Sequence, residues 1–264
     1  MGIVNVTPDS FSDGGRSFDP VAAVAHARRL LADGADMIDV GGESTRPGAD
    51  AVPADEEIAR VVPVIRAIRA ESAAPVSVDT MKPQVARAAV AAGATIWNDV
   101  TALGHAPDSL AVAAELGCEV VLMHMRGEPQ TMQAEPRYDD VLAEVTGFLA
   151  DRAAAAIAAG VARERIWLDP GIGFGKDMIR HNLPLIAKLD RIAALGFPVL
   201  LGVSRKRFIA ALDRQAAPGA DQRLGGSIAA ALAGVAAGAA AVRVHDVRET
   251  VQALRVWQAI QAAG

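Results

Sequence analysis

Asp39, Asp79 and Asp169 each stand at the end of a short apolar run, and Asn98 ends another. Carboxylates accept paired hydrogen bonds. Several of them gathered with an amide would suit a flat nitrogen heterocycle that offers ring N–H and amino donors. Arg46, Lys206, Arg243 and His245 form a second, cationic set. Clustered cations in a chain that is acidic on average suit a phosphate or a carboxylate, although structural ion pairs with the aspartates would use the same residue types.

Other chemistries are absent from the sequence. The glycines of Gly171-Ile-Gly-Phe-Gly-Lys176 follow Asp169-Pro170. They fit neither G-x-x-x-x-G-K-[ST], because 170 is Pro and 177 is Asp, nor G-x-G-x-x-G. A backbone that must approach a ligand closely explains them better; Gly41-Gly42 and Gly14-Gly15 admit that reading or simple turns. There is no H-E-x-x-H, and His26, His105, His124, His181 and His245 lack ligand spacing, so protein-ligated zinc is not expected. A G-x-S-x-G elbow is missing too. One cysteine, Cys118, excludes an intrachain disulfide framework and Cys-based metal centres; it lies at a helix-to-strand junction and reads as a small core residue. A net charge of −5 and only 4% aromatic residues argue against a nucleic-acid surface.

These residues need elements to hold them. Apolar β-rich runs recur at Gly2–Val6, Asp36–Val40, Val76–Asp79, Thr95–Asn98, Glu119–His124, Ile166–Asp169, Val199–Val203 and Ala241–Val244. Most are continuous rather than alternating, as parallel strands buried on both faces are. Amphipathic Ala-rich helices lie between them, for instance Pro20 to Asp33 and Asp55 to Glu71. Gly93, Gly117, Gly160 and Gly196 each fall between a helix and a strand. Eight units in 264 residues come to about 33 residues each, the size of a βα repeat. The expected fold is therefore an α/β, (βα)8 TIM barrel, a single domain over 1–264, with an open eight-stranded sheet as the alternative. Every run delivers a polar group to the same rim: Asn5, Asp39, Asp79, Asn98-Asp99, His124, Asp169, Ser204-Arg205-Lys206 and Arg243 with His245-Asp246. In such a barrel that rim carries the chemistry. The uncharged stretch from Arg223 to Arg243 reads as a packed helix and a buried strand rather than a membrane span. No leader precedes the first run, and the expected location is the cytoplasm.

At these residues the chain resembles the dihydropteroate synthases. Met1-Gly-Ile-Val-Asn-Val-Thr-Pro-Asp-Ser-Phe-Ser-Asp-Gly-Gly15 is similar to that family's first signature, and Asp39-Val-Gly-Gly-Glu-Ser-Thr-Arg-Pro-Gly48 to its second. Ser77-Val-Asp-Thr80, Asn98-Asp99, Met123-His-Met125, Asp169-Pro-Gly171 with Gly173-Phe-Gly-Lys176, Ser204-Arg-Lys206 and Arg243-Val-His-Asp246 follow in order. The resemblance covers essentially the whole chain. It implies condensation of 6-hydroxymethyl-7,8-dihydropterin diphosphate with 4-aminobenzoate, giving 7,8-dihydropteroate and pyrophosphate in folate biosynthesis. It also implies an SN1-like displacement, Mg2+ as cofactor, a homodimer and a sulfonamide target. By resemblance Asp79, Asn98, Met123, Asp169, Gly202, Lys206 and Arg243 would take the pterin. Asn5, Arg46, Arg243 and His245 would surround the diphosphate, and Asn5 would hold the metal. Phe11, Thr45, Arg46 and Pro47 would form the aminobenzoate site, and Asp13, Asp169, Lys206 and Arg243 would be catalytic.

Three departures from the family pattern stand out. The first strand begins at residue 2, where relatives have a short preceding segment. One more residue than usual separates Lys176 from His181, which leaves the conformation there open. Arg207 follows Lys206 where Ser is frequent, and could reach the aminobenzoate carboxylate or point to solvent. Three other activities would use part of this inventory. A corrinoid methyltransferase shares the barrel and pterin pocket but has no diphosphate to bind. A Schiff-base aldolase would use Lys206 or Lys176. A non-catalytic pterin-binding paralogue should have lost Asn5, Asp13, Thr45 or Arg46, and all four are present.

Overall fold

Parallel strands alternate with helices throughout the computed structural model, which describes residues 1–7, 19–44, 50–127, 132, 136–213 and 219–263. The first half runs β1 (Gly2–Asn5), α1 (Pro20–Ala32), β2 (Ile38–Gly41), α2 (Ala54–Glu71), β3 (Val76–Asp79), α3 (Pro83–Ala91), β4 (Ile96–Asp99) and α4 (Ser109–Leu116). The second half runs β5 (Glu119–Met123), α5 (Val141–Ala158), β6 (Ile166–Asp169), α6 (Asn182–Ala187), α7 (Asp190–Ala193), β7 (Leu200–Leu201), α8 (Arg207–Leu212), α9 (Leu224–Ala236), β8 (Ala241–Val242) and α10 (Val247–Ala262). Asp19 opens α1 by accepting from the N–H groups of Val21 and Ala22, and Asp140 does the same for α5 with Leu142 and Ala143. At the other helix ends, Gly93, Gly117, Gly160 and Gly196 turn the chain with φ of +111°, +57°, +106° and +79°, a region that costs a side-chain-bearing residue energy.

Strands β1 to β6 pair in sequence order and β7 pairs with β8. Two isolated bridges, Leu168↔Val199 and Gly2↔Val244, join these sheets on both sides and close the ring. This is the (βα)8 barrel, not the open sheet. The last two strands are only two residues long, shorter than their apolar runs suggest, because the ladder there is carried by single bridges.

Alternation along the strands separates two environments. Val4, Ile38, Val40, Val76, Val78, Trp97, Leu122, Leu168, Leu201 and Val242 point outward into one continuous core to which every helix contributes. Residues of the opposite parity point into the barrel. Its floor is filled by Met1, Ile96, Val121 and Leu200, with Met37 and Trp167 against them. Above that floor most inward positions are polar or glycine, with Met123 among them, so burying the apolar side chains of each strand on the outside is what directs its other residues toward the site.

Candidate active site

The parallel register sets the rim. Asn5 lies beside Gly41, Gly41 beside Asp79, and Asp79 beside Asn98; on the far side Met123 lies beside Asp169. A Cβ on Gly41 would stand 3.8 Å from both Asn5 Oδ1 and Asp79 Oδ2, so the bare glycine keeps this stretch open. A Cβ on Gly202 would meet nothing within 4 Å. Gly42 is small for another reason: a Cβ there would crowd Val61 and Glu57 of α2.

Arg243 reaches across the barrel from the end of β8. Its Nε donates to Asp39 Oδ2 at 2.6 Å and its Nη2 to Asp79 Oδ2 at 2.8 Å. Desolvation works against the guanidinium charge, but the carboxylates of Asp39 and Asp79 outweigh it and hold the group above its ordinary pKa. Asn98 Nδ2 reaches Asp39 Oδ2 at 3.5 Å. Asp39 does not end β2 as its run suggested. The strand continues to Gly41, and Asp39 lies one layer below the rim, fully buried. Burial pushes Asp79 up to about 7 despite Arg243, with Asp39 adding to the rise. Asp169 is likewise raised by burial, against the Gly171 N–H bond to its Oδ1 and the charges of Lys206, Arg243 and Lys176. Among the described residues, Asp39 Oδ1 and Asp79 Oδ1 are buried without a hydrogen-bond partner, acceptor capacity open to a ligand.

The loops after β7 and β8 are fastened to one another. Ser204 Oγ sits 3.0 Å from His245 Nδ1 and accepts the His245 N–H at 3.2 Å. Arg205 forks onto Asp246 at 2.5 and 3.0 Å while its own backbone is left-handed at φ +58°. Lys206 extends its ammonium over the Phe174 ring, 4.2 Å from the centroid. Phe174 is a neighbour the sequence reading did not single out; its position two residues before Lys176 in the glycine loop is the only signal it carries.

Asn5, Asp79, Asn98, Met123, Asp169, Gly202 and Arg243 thus share the inward parity at one end of the barrel, with Lys206 and His245 on the adjoining loops. Phe11, Asp13, Thr45, Arg46 and Pro47 lie outside the described residues. Two rim expectations change. Asp99 has the outward parity and ties the following turn, accepting from Thr101 N, Thr101 Oγ1 and Leu103 N; burial lifts it to about 6. His124 also turns outward, onto Lys176. The turn left open after Lys176 is ordered by Asp177, whose Oδ1 accepts from Ile179 and Arg180, and by Asn182, whose Oδ1 accepts from Gly173 N. Arg207 is exposed at the start of α8. Cys118 is buried between α4 and β5, and burial raises its thiol pKa.

No group of three or more His, Cys, Asp or Glu forms a metal cage among the described residues. Mg2+ does not require one: it takes one or two protein oxygens and completes its shell with phosphate oxygens and water. The amide oxygen of Asn5, on the same rim as Arg243, fits an ion that arrives with a diphosphate.

The family model for pterin binding enzymes matches residues 1–245. The chain belongs to that family. Within it the chain stands among the dihydropteroate synthases, transferases of folate biosynthesis. It is 48% identical over 263 residues to dihydropteroate synthase of Escherichia coli (strain K12), covering 100% of this chain and 92% of that one. The dihydropteroate synthase of Xanthomonas albilineans solved with 4-aminobenzoic acid superposes with a TM-score of 0.93 at 55% identity, over 99% of this chain and 92% of that one. The same enzyme in complex with 7,8-dihydropteroate gives 0.89 at 52% identity, over 99% and 93%.

Proposed function

We propose that the barrel mouth binds the pterin of 6-hydroxymethyl-7,8-dihydropterin diphosphate through Asp79, Asn98, Asp169 and Lys206, with Met123 and Gly202 lining the pocket and Arg243 on the ring. The observation that carries this reading is the set of inward-facing acids and amide at one end of the barrel, with Asp79 Oδ1 buried and lacking a donor among the described residues. Ring N–H and amino groups are the donors such oxygens accept. Asn5, Arg243 and His245, with Arg46, take the diphosphate. Asn5 would hold Mg2+, which when bound supplies positive charge to the leaving pyrophosphate.

The chemistry is a dissociative displacement. The bond between the exocyclic methylene and the diphosphate oxygen breaks, and its electron pair leaves with pyrophosphate. Arg243 and His245 oppose the charge gathering on that group. The methylene carbon is left positive and delocalises into the dihydropterin, where Asp169, with Asp13, stabilises it. The uncharged amine of 4-aminobenzoate, held by Phe11, Thr45, Arg46 and Pro47, forms the new C–N bond and releases one proton to solvent. Water must be kept from the cation, since it would hydrolyse it.

The whole chain, 1–264, acts as one domain in this reading, supported by the single outer core beneath all the helices. It works as a homodimer in the cytoplasm. A groove of about 540 Å³ between α6, α8 and α9, edged by the exposed Leu212, supports the dimer. No helix among the described residues is long and apolar enough to cross a membrane. Mixing the protein with the pterin diphosphate, 4-aminobenzoate and Mg2+ should release pyrophosphate only when both substrates are present. No release across pH and metal concentration would reject the reading.

A further inference from the structure

Behind the pocket wall lies a buried cation that the chemistry above does not use. Lys176 has no exposed surface. Its Nζ lies 2.9 Å from His124 Nδ1, 3.2 Å from His124 O and 3.0 Å from Phe174 O. Three acceptors match the three protons of an ammonium, and none of them is a carboxylate. Burial lowers Lys176 to about 7 and His124 to about 3. Of the two groups the lysine holds a proton the more tightly; with its ammonium donating at 2.9 Å, the ring accepts at Nδ1 and carries its own hydrogen on Nε2.

These acceptors belong to two segments that meet backbone to backbone. A Cβ on Gly171 would overlap His124 O, and one on Gly175 would overlap Arg126 O. Tyr138 donates its hydroxyl to Gly175 O at 2.9 Å from the other side. The His124 ring is wedged edge-on against Phe148, 4.9 Å between centroids. On its pocket side the same loop holds Asp169 through Gly171 N, at 2.7 Å, and sets Phe174 against Lys206.

We propose that Lys176 is a positioning residue: by tying the end of β5 to the loop after β6, it sets where Asp169 and Phe174 stand beside Lys206. The inference rests on the pterin reading of Asp169 and Lys206. It predicts that removing the ammonium loosens the pocket wall without touching substrate.

The test is calorimetric titration of 7,8-dihydropteroate into wild type, Lys176→Met, His124→Leu and His124→Asn, each first checked by thermal melting. Lys176→Met should weaken binding by about tenfold or more, since misplacing a binding group by an ångström is enough for that. His124→Leu should weaken it too. His124→Asn should recover much of the loss, because its amide oxygen can accept near the place of Nδ1. A folded Lys176→Met that binds within about twofold of wild type, the range of a neutral substitution, would overturn the proposal. If that variant does not fold, equal affinities of His124→Leu and His124→Asn would overturn it. Ring 15N spectra of His124 need no ligand: wild type should show the Nε2–H form, and Lys176→Met should lose that bias and titrate at higher pH. An unchanged ring in Lys176→Met would also overturn the link, whereas a wild type that binds no dihydropteroate would count against the function reading.

Discussion

Arg243 concentrates the electrostatics of the site in one side chain. It is 21% exposed and bridges Asp39, which is fully buried, and Asp79. Arg243→Ala should abolish turnover, and it should also strip two buried carboxylates of their counter-charge. Removing one partner of such a pair costs about 3–5 kcal/mol when the remaining charge stays ionised. The sign with pH follows from Asp79, which already sits near 7, well above an ordinary aspartate. A carboxyl whose folded pKa is raised favours the fold when protonated, so its penalty grows as pH rises from the unfolded value through the folded one. The stability deficit of Arg243→Ala against wild type, read from urea unfolding, should therefore be smallest near pH 4 and widen above about pH 7, where wild-type Asp79 ionises beside its counter-charge and the variant's does not, by about 1.4 kcal/mol per pH unit. A deficit that does not change with pH would mean that the arginine is not neutralising these acids.

Among the elements, β7 and β8 have the least ladder, and the loop after β7 turns through a left-handed residue, Arg205. Each strand contributes only two residues to the sheet. The positions of Ser204, Lys206 and His245 therefore depend on side-chain links, above all the fork of Arg205 on Asp246. Arg205 makes that link from a left-handed backbone, its N–H bonded to Ser227 Oγ and its carbonyl accepting from Arg223. Arg205→Ala and Arg205→Gly both break the fork, and both should lower kcat/KM. They should differ in stability: the glycine variant escapes the left-handed penalty and should be the more stable by about 1 kcal/mol in urea unfolding. If the alanine variant is as stable as the glycine variant, the backbone at 205 is not strained in solution.

The molecule as a whole has one outer core, and among the described residues the groove between α6, α8 and α9 opens onto it, with Ile186 and Phe208 of the core at its base. Leu183, Ile186, Phe208, Leu212, Ala229 and Ala233 line it, and Leu212 is 59% exposed. On α10, Val256 and Ile260 present a second apolar stripe, 57% and 63% exposed. Sedimentation should find wild type as a dimer and Leu212→Asp as a folded monomer. A dimer that survives both Leu212→Asp and Ile260→Asp would remove these faces from the assembly.

Much of the site was legible without coordinates, because strand parity is a local property. Once Val78 and Leu168 are read as outward core, Asp79 and Asp169 must face the barrel, and the same rule places Asn5, Asn98 and Arg243. Applied strictly, it also turns Asp99 and His124 away, although both end their runs. The helix stops at Gly93, Gly117, Gly160 and Gly196 were equally local, since a positive φ is a demand on one residue. Contacts between distant parts of the chain were a different matter. Arg243 meets Asp39 across 204 positions of sequence, and Lys176 meets His124 across 52; the first pairing arises when the ring closes at Gly2↔Val244, the second when β6 pairs with β5. The alternation of side chains chose the residues that enter the barrel. Which cation neutralises which acid, and which lysine is buried behind the wall, was decided by the tertiary structure, where charge and burial depend on everything packed around them.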